Sequence, residues 1–192
     1  MSIRRTIFRV LFLALALAVG LAGCSSPLSS LSGPAAPCSV AVSKQAADNL
    51  VNKINAARLQ RNQATITVTS QELTSILVQS LQQAQAKDPK VVIPLQNPVI
   101  CFRNGLMSVF GTISAQGMGN VSALLTMSAV VTNGQTSFHV EQMQFGQFSA
   151  PQALGDSVAS LVADALNQQM AQFRLTAIQI GNDQMTVSAI SQ

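Results

Sequence analysis

The chain has 192 residues, of which 48% are hydrophobic and only 9% charged, with no Trp and no Tyr. Its net charge of +4 is unevenly placed, because Arg4, Arg5 and Arg9 precede every acidic residue. Beyond residue 23, eight basic side chains face seven acidic ones. That leaves no basic stripe and no Trp or Tyr to stack bases, which argues against nucleic acid as a partner. The remainder is one domain's worth of chain, neutral and rich in Gln, Ser, Thr, Ala and aliphatic residues.

The three arginines are followed by an apolar run over residues 10–22, broken only by Gly20, and then by Leu21-Ala22-Gly23-Cys24. A basic start, a short apolar stretch and small residues before a cysteine have the order of an export signal. The run is too short to span a bilayer, which takes about 20 apolar residues. The stretch resembles the lipobox of bacterial lipoprotein signal peptides. That resemblance implies removal of residues 1–23 and acylation of Cys24 as the first residue of the mature chain. The alternatives are an uncleaved anchor or a plain secretory peptide. Several acyl chains hold a protein stably on a bilayer where one does so only marginally. Ser25 and Ser26 follow Cys24 with no aspartate, which by the same resemblance favours the outer membrane of a two-membrane bacterium. In a one-membrane organism the outer face of the cell membrane is the only destination.

Residues 24–38 form a lipidated cysteine and a flexible Ser-, Leu-, Gly-, Pro- and Ala-containing tether, and residues 39–192 a single domain. Over residues 39–62, Ala47, Leu50, Val51, Ile54 and Ala57 recur at helical spacing and predict an amphipathic helix that packs on a core. Thr65-Ile66-Thr67-Val68 alternates as a strand and runs into Thr69-Ser70-Gln71-Glu72. Thr69 and Glu72 have capping-box spacing, so Glu72 reads as a structural cap in preference to a catalytic acid. The helix that follows carries Leu73, Ile76, Leu77 and Leu81 and should end before Asp88-Pro89.

The period then changes. Val91-Val92-Ile93-Pro94 leads to two hairpins with Asn104-Gly105 and Asn133-Gly134 at their turns, where the positive φ of a type I′ turn is needed. In the strand over residues 121–132, Val121, Ala123, Leu125, Met127, Ala129 and Val131 line one face, and Ser122, Thr126 and Ser128 dominate the other. Pro151 starts a helix whose stripe is Leu154, Val158, Leu161, Val162, Ala165 and Met170, ending near Gln172. A last hairpin turns at Gly181-Asn182-Asp183. The expected fold is α+β: a curved antiparallel sheet of hairpins wrapped around a long C-terminal helix, with additional N-terminal helices.

The residues from Val68 to Leu77, then Pro98 to Gly105 with Gly111 closing the next strand, then Phe145-Gly146-Gln147-Phe148-Ser149-Ala150-Pro151 and the closing hairpin resemble bacterial proteins of the YpmS and LmeA-like group. Members are similar to tubular lipid-binding (TULIP-like) domains, in which a curved sheet wraps a long helix beside an apolar groove. The shared motifs are patterns of fold. The chain departs from the group at Asn182-Asp183-Gln184, where a glycine is usual, and in lacking an acidic surface.

The residues carry little visible chemistry. His139 shares a strand face with Glu141, which is short of the three or four ligands of a zinc site. There is no nucleophile elbow, phosphate loop or dinucleotide fingerprint, so neither an enzyme nor a bound cofactor is expected. With Cys24 acylated, Cys38 and Cys101 remain, and an even pair in an exported domain points to a disulfide. The alternative is two free thiols, one in the tether and one in a strand. The functional expectation is a membrane-tethered module holding a lipid or other apolar ligand, with Leu125, Met127, Leu161 and Val162 lining its groove. Flexible methionines at Met107, Met118, Met127, Met143, Met170 and Met185 suit such a surface. A charged residue at Leu125 or Met127 is then expected to stop ligand uptake without unfolding. The rival expectation is a non-catalytic structural or interaction lipoprotein with a fully packed core.

Overall fold

A computed structural model of the chain describes residues 33–60, 63–87, 95–115, 119–146, 148–149 and 152–191. The lipobox and Cys24, together with Ser25, Ser26, Asp88, Pro89, the stretch from Val91 to Pro94, Met118, Gln147, Ala150, Pro151 and the side chain of Leu154, lie outside the described residues. The elements in order are α1 (Lys44–Arg58), β1 (Gln63–Thr69), α2 (Ser70–Lys87), β2 (Gln96–Arg103), β3 (Leu106–Ala115), β4 (Gly119–Thr132), β5 (Gln135–Phe145), β6 (Phe148–Ser149), α3 (Gln152–Gln169), β7 (Phe173–Ile180) and β8 (Gln184–Ser191). The fold is α+β with two antiparallel sheets. The C-terminal helix stops at Gln169, short of the expected Gln172.

The hairpin turns form where Asn-Gly pairs provide the left-handed backbone. Asn104 and Gly105 have φ of 53° and 79°, and Asn133 and Gly134 have 55° and 81°. These turns build the five-stranded sheet β2-β3-β4-β5-β6. The last hairpin does not extend it. β8 pairs with β1 and β7 in a separate three-stranded sheet, with Ile66 opposite Val187 and Val68 opposite Met185. The two sheets meet where β7 touches β4 and β5, and the Leu175 N–H donates to the Gly134 carbonyl at 2.9 Å. The turn before β8 adds a second tie. Asp183, at φ 61°, donates its N–H to the Phe102 carbonyl at 3.0 Å and accepts from the Ser70 N–H at 3.2 Å.

Helix α1 starts at Ser43, whose hydroxyl accepts from the Ala46 N–H at 3.1 Å, and it buries Ala47, Leu50, Ile54 and Ala57 against α2 and β1. β1 passes into α2 without a loop. Thr69 Oγ1 accepts from the Glu72 N–H at 3.2 Å while Glu72 Oε2 accepts from the Thr69 N–H at 3.0 Å, which completes the capping box. Lys53 Nζ lies 2.8 Å from Glu72 Oε1. Glu72 is buried, so its truncation strands the Thr69 N–H, whereas Lys53 keeps its bond to the Thr67 carbonyl at 3.0 Å. Glu72→Ala is expected to cost about 1–3 kcal/mol, most of it from the cap because Lys53 is half exposed. Urea unfolding of the variant against wild type measures it.

Edge strand β2 would leave a row of unpaired donors, and α2 satisfies them. The Ile100 N–H donates to Thr74 Oγ1 at 2.9 Å and the Phe102 N–H to Ser70 Oγ at 3.3 Å. The spacing explains the match, since four helical residues rise about 6 Å and two strand residues about 6.8 Å. Hydroxyls four apart on the helix thus meet alternate amides on the strand. Thr74→Val keeps the volume and removes the acceptor from a fully buried amide. It is expected to cost about 1–3 kcal/mol in thermal unfolding.

Candidate binding seam under the last helix

The inward face of β4 carries Ala123, Leu125 and Met127, and α3 lies over the neighbouring strand β5. The helix turns Val158, Ala159, Val162, Ala165 and Leu166 into the core, a stripe of small and branched residues at helical spacing. At Gly155 the helix lies close against the sheet. A β-carbon there would lie 3.2 Å from Met143 Sδ, 3.3 Å from Val140 Cγ1 and 3.4 Å from Leu125 Cδ1. The first half of α3 therefore rests on a thioether and two aliphatic side chains.

Its other end is pinned by polar bonds. Asn167 Oδ1 accepts from the Thr136 N–H at 2.9 Å, and Asn167 Nδ2 donates to the Thr136 carbonyl at 3.0 Å. One side-chain amide thus pairs with both backbone groups of an edge-strand residue. Nothing in the periodicity of the helix singles out Asn167, and Gly155 reads from sequence as a weak helix former; the contacts reveal both.

The residues expected to line a groove are packed instead. Leu125, Met127 and Val162 are 2%, 0% and 1% exposed, and Leu161 is half-buried. Met107, Met170 and Met185 are likewise core residues, while Met143 is half-buried at the edge of the seam. Alternation along β4 identifies its inner face correctly but says nothing of how completely a helix closes over it. Two surface hollows do occur elsewhere. One of about 170 Å³ lies beside Asn133, Gln135 and Asn167, and one of about 360 Å³ lies beside Val40, Gln71 and Asp183. Neither touches Leu125, Met127, Leu161 or Val162.

Cys38 and Cys101 are joined in a disulfide, with their Cα atoms 6.0 Å apart. This accounts for a break in the β2 pattern. Ile100 and Phe102 face the core, whereas Cys101 points to the opposite face and is still only 4% exposed, covered by the segment that brings Cys38. His139 and Glu141 are both exposed, and Glu141 Oε1 accepts from Ser128 Oγ at 2.6 Å. Among the described residues no group of three or more His, Cys, Asp or Glu side chains comes together. Also among them, no helix is long and apolar enough to cross a membrane.

The fold and seam define an α+β domain with a helix laid on an antiparallel sheet through an apolar, partly methionine-lined contact. Comparison of the chain with protein-family models and with curated proteins gives no match.

Proposed function

We propose that the protein is a lipid-anchored extracytoplasmic lipoprotein, held to its membrane through Cys24. Its domain is TULIP-like and non-catalytic, and it takes a lipid or other apolar ligand between α3 and the sheet that curves around it. The observation that carries this reading is the asymmetry of the seam. The N-terminal half of α3 meets the sheet through Gly155 and the flexible thioether of Met143, and the polar bonds of Asn167 hold the C-terminal end. Thioethers repack around apolar guests of varied shape at low cost. A helix pinned at one end can lift at the other, so ligand entry displaces the first turns of α3 and exposes Leu125, Met127 and Val162.

A second reading is a structural or interaction lipoprotein that works through its Gln-, Ser- and Thr-rich surface. The complete burial of Met127 favours it.

The anchor is tested by expressing the full chain in a bacterial host supplied with a labelled fatty acid. Wild type is expected to carry the label and float with membranes. Cys24→Ser is expected to lose both. Wild type that is exported unlabelled and does not float would end the lipoprotein reading.

A further inference from the structure

We infer that the domain stands on its bilayer with the N-terminal end of α3 downward, so that the seam opens toward the leaflet holding the anchor. This rests on the lipid-anchored reading proposed above. The first observation is where the chain enters the domain. A β-carbon at Gly33 would lie 2.9 Å from the Ser122 β-carbon and 3.2 Å from Gly146 Cα, so the chain arrives at the start of β4 and the end of β5. Residue 38 is then fixed to Cys101 on β2 by the disulfide.

The register gives the path between them. Ser122 lies opposite Thr112, while Cys101 lies opposite Ser108, which faces Thr126. The diagonal from Ser122 to Cys101, four residues along and two strands across, is about 17 Å. Five extended residues cover about the same length. Residues 33–38 thus cross the outer face of the sheet between these two points, with Gly33 packed against Ser122 and Gly146 and Cys38 held by the disulfide.

The length of the tether then excludes the inverted orientation. From Cys24 to Gly33 the chain reaches about 30 Å at full extension. From Ser122 to the Asn133-Gly134 hairpin, β4 runs about 37 Å. An inverted domain, with that hairpin on the bilayer, would hold Gly33 beyond the reach of its own anchor. The permitted end carries Gly146 and, a few residues later, the start of α3 at Gln152. It is the half of the seam without the Asn167 bonds.

The test uses the full lipidated chain in phosphatidylethanolamine and phosphatidylglycerol vesicles that contain a headgroup-labelled acceptor lipid. A donor dye is placed through Gln152→Cys or through Gln135→Cys, both exposed positions at opposite ends of the domain. Energy transfer is expected to be severalfold higher from position 152. A flexible Gly-Ser insertion of about twelve residues between Ser30 and Leu31 adds about 40 Å of reach without touching the folded domain. It is expected to erase the difference, as is reduction of the disulfide. Equal transfer from the two positions in the oxidised chain, or higher transfer from 135, overturns the orientation while leaving the anchor reading intact. A wild-type chain that does not float with the vesicles overturns both.

Discussion

Removing the Cys38–Cys101 bridge, by the double substitution Cys38→Ser and Cys101→Ser, is expected to lower the melting temperature by roughly 8–16 °C. The two cysteines are 63 residues apart in sequence, and the bridge closes a loop that contains α1, β1 and α2. Cross-linking a loop of that length removes about 4 kcal/mol of chain entropy from the unfolded state. For a domain of this size each kcal/mol moves the melting temperature by about 2–4 °C. Calorimetry of the oxidised wild type and the double variant gives the shift directly. A shift of a degree or two would mean that the loop is already restrained in the unfolded chain. Because Cys101 sits on the outer face, the loss should appear as destabilisation with the native core retained.

Met127→Lys is expected to unfold the domain outright. The side chain is 0% exposed, lies between Met107 on β3 and Val140 on β5, and belongs to the central core cluster. An ammonium there has no partner, and burying one without a partner costs more than the few kcal/mol by which domains of this size are stable. Met127→Ala is expected to cost about 2–5 kcal/mol through the cavity it leaves, and Met127→Leu under about 1.5 kcal/mol. Far-ultraviolet circular dichroism and urea titration separate the three. This corrects the expectation from sequence that a charge at Leu125 or Met127 would stop ligand uptake and spare the fold. Both positions are structural first, so ligand uptake has to be probed elsewhere along the seam. Gly155 is the better probe, since a larger side chain there meets Met143 Sδ, Val140 and Leu125 at the surface of contact.

What could be read from sequence was what is local. The Asn104-Gly105 and Asn133-Gly134 turns carry their own backbone requirement, and Thr69 and Glu72 their own reciprocal bonds, so each appears where residue type and spacing place it. The pairing of β1 with β8 joins residues more than a hundred positions apart, and no turn residue announces it. The closing hairpin therefore reads as an extension of the main sheet when it is the middle and edge of a second one. The hydroxyls of Ser70 and Thr74 look like polar interruptions in an amphipathic helix until β2 is set beside them. The tether is the same kind of case. Its composition from Ser25 to Pro37 is that of a free linker, yet from Gly33 onward it lies on the sheet, held by a bond whose partner is in β2. For the seam, periodicity identifies Leu125, Met127 and Val162 as inward-facing. Only three-dimensional packing shows that all three are fully buried.

Whether the domain takes up a lipid is read by native mass spectrometry with lipid extraction, on residues 25–192 purified without detergent and then exposed to envelope lipids. A stoichiometric adduct of lipid mass is expected, accompanied by faster amide exchange in the first turns of α3 than in the turns around Asn167. A clean unliganded mass before and after exposure, with uniform protection along α3, would contradict it. That result would leave the packed-core lipoprotein acting through its polar surface.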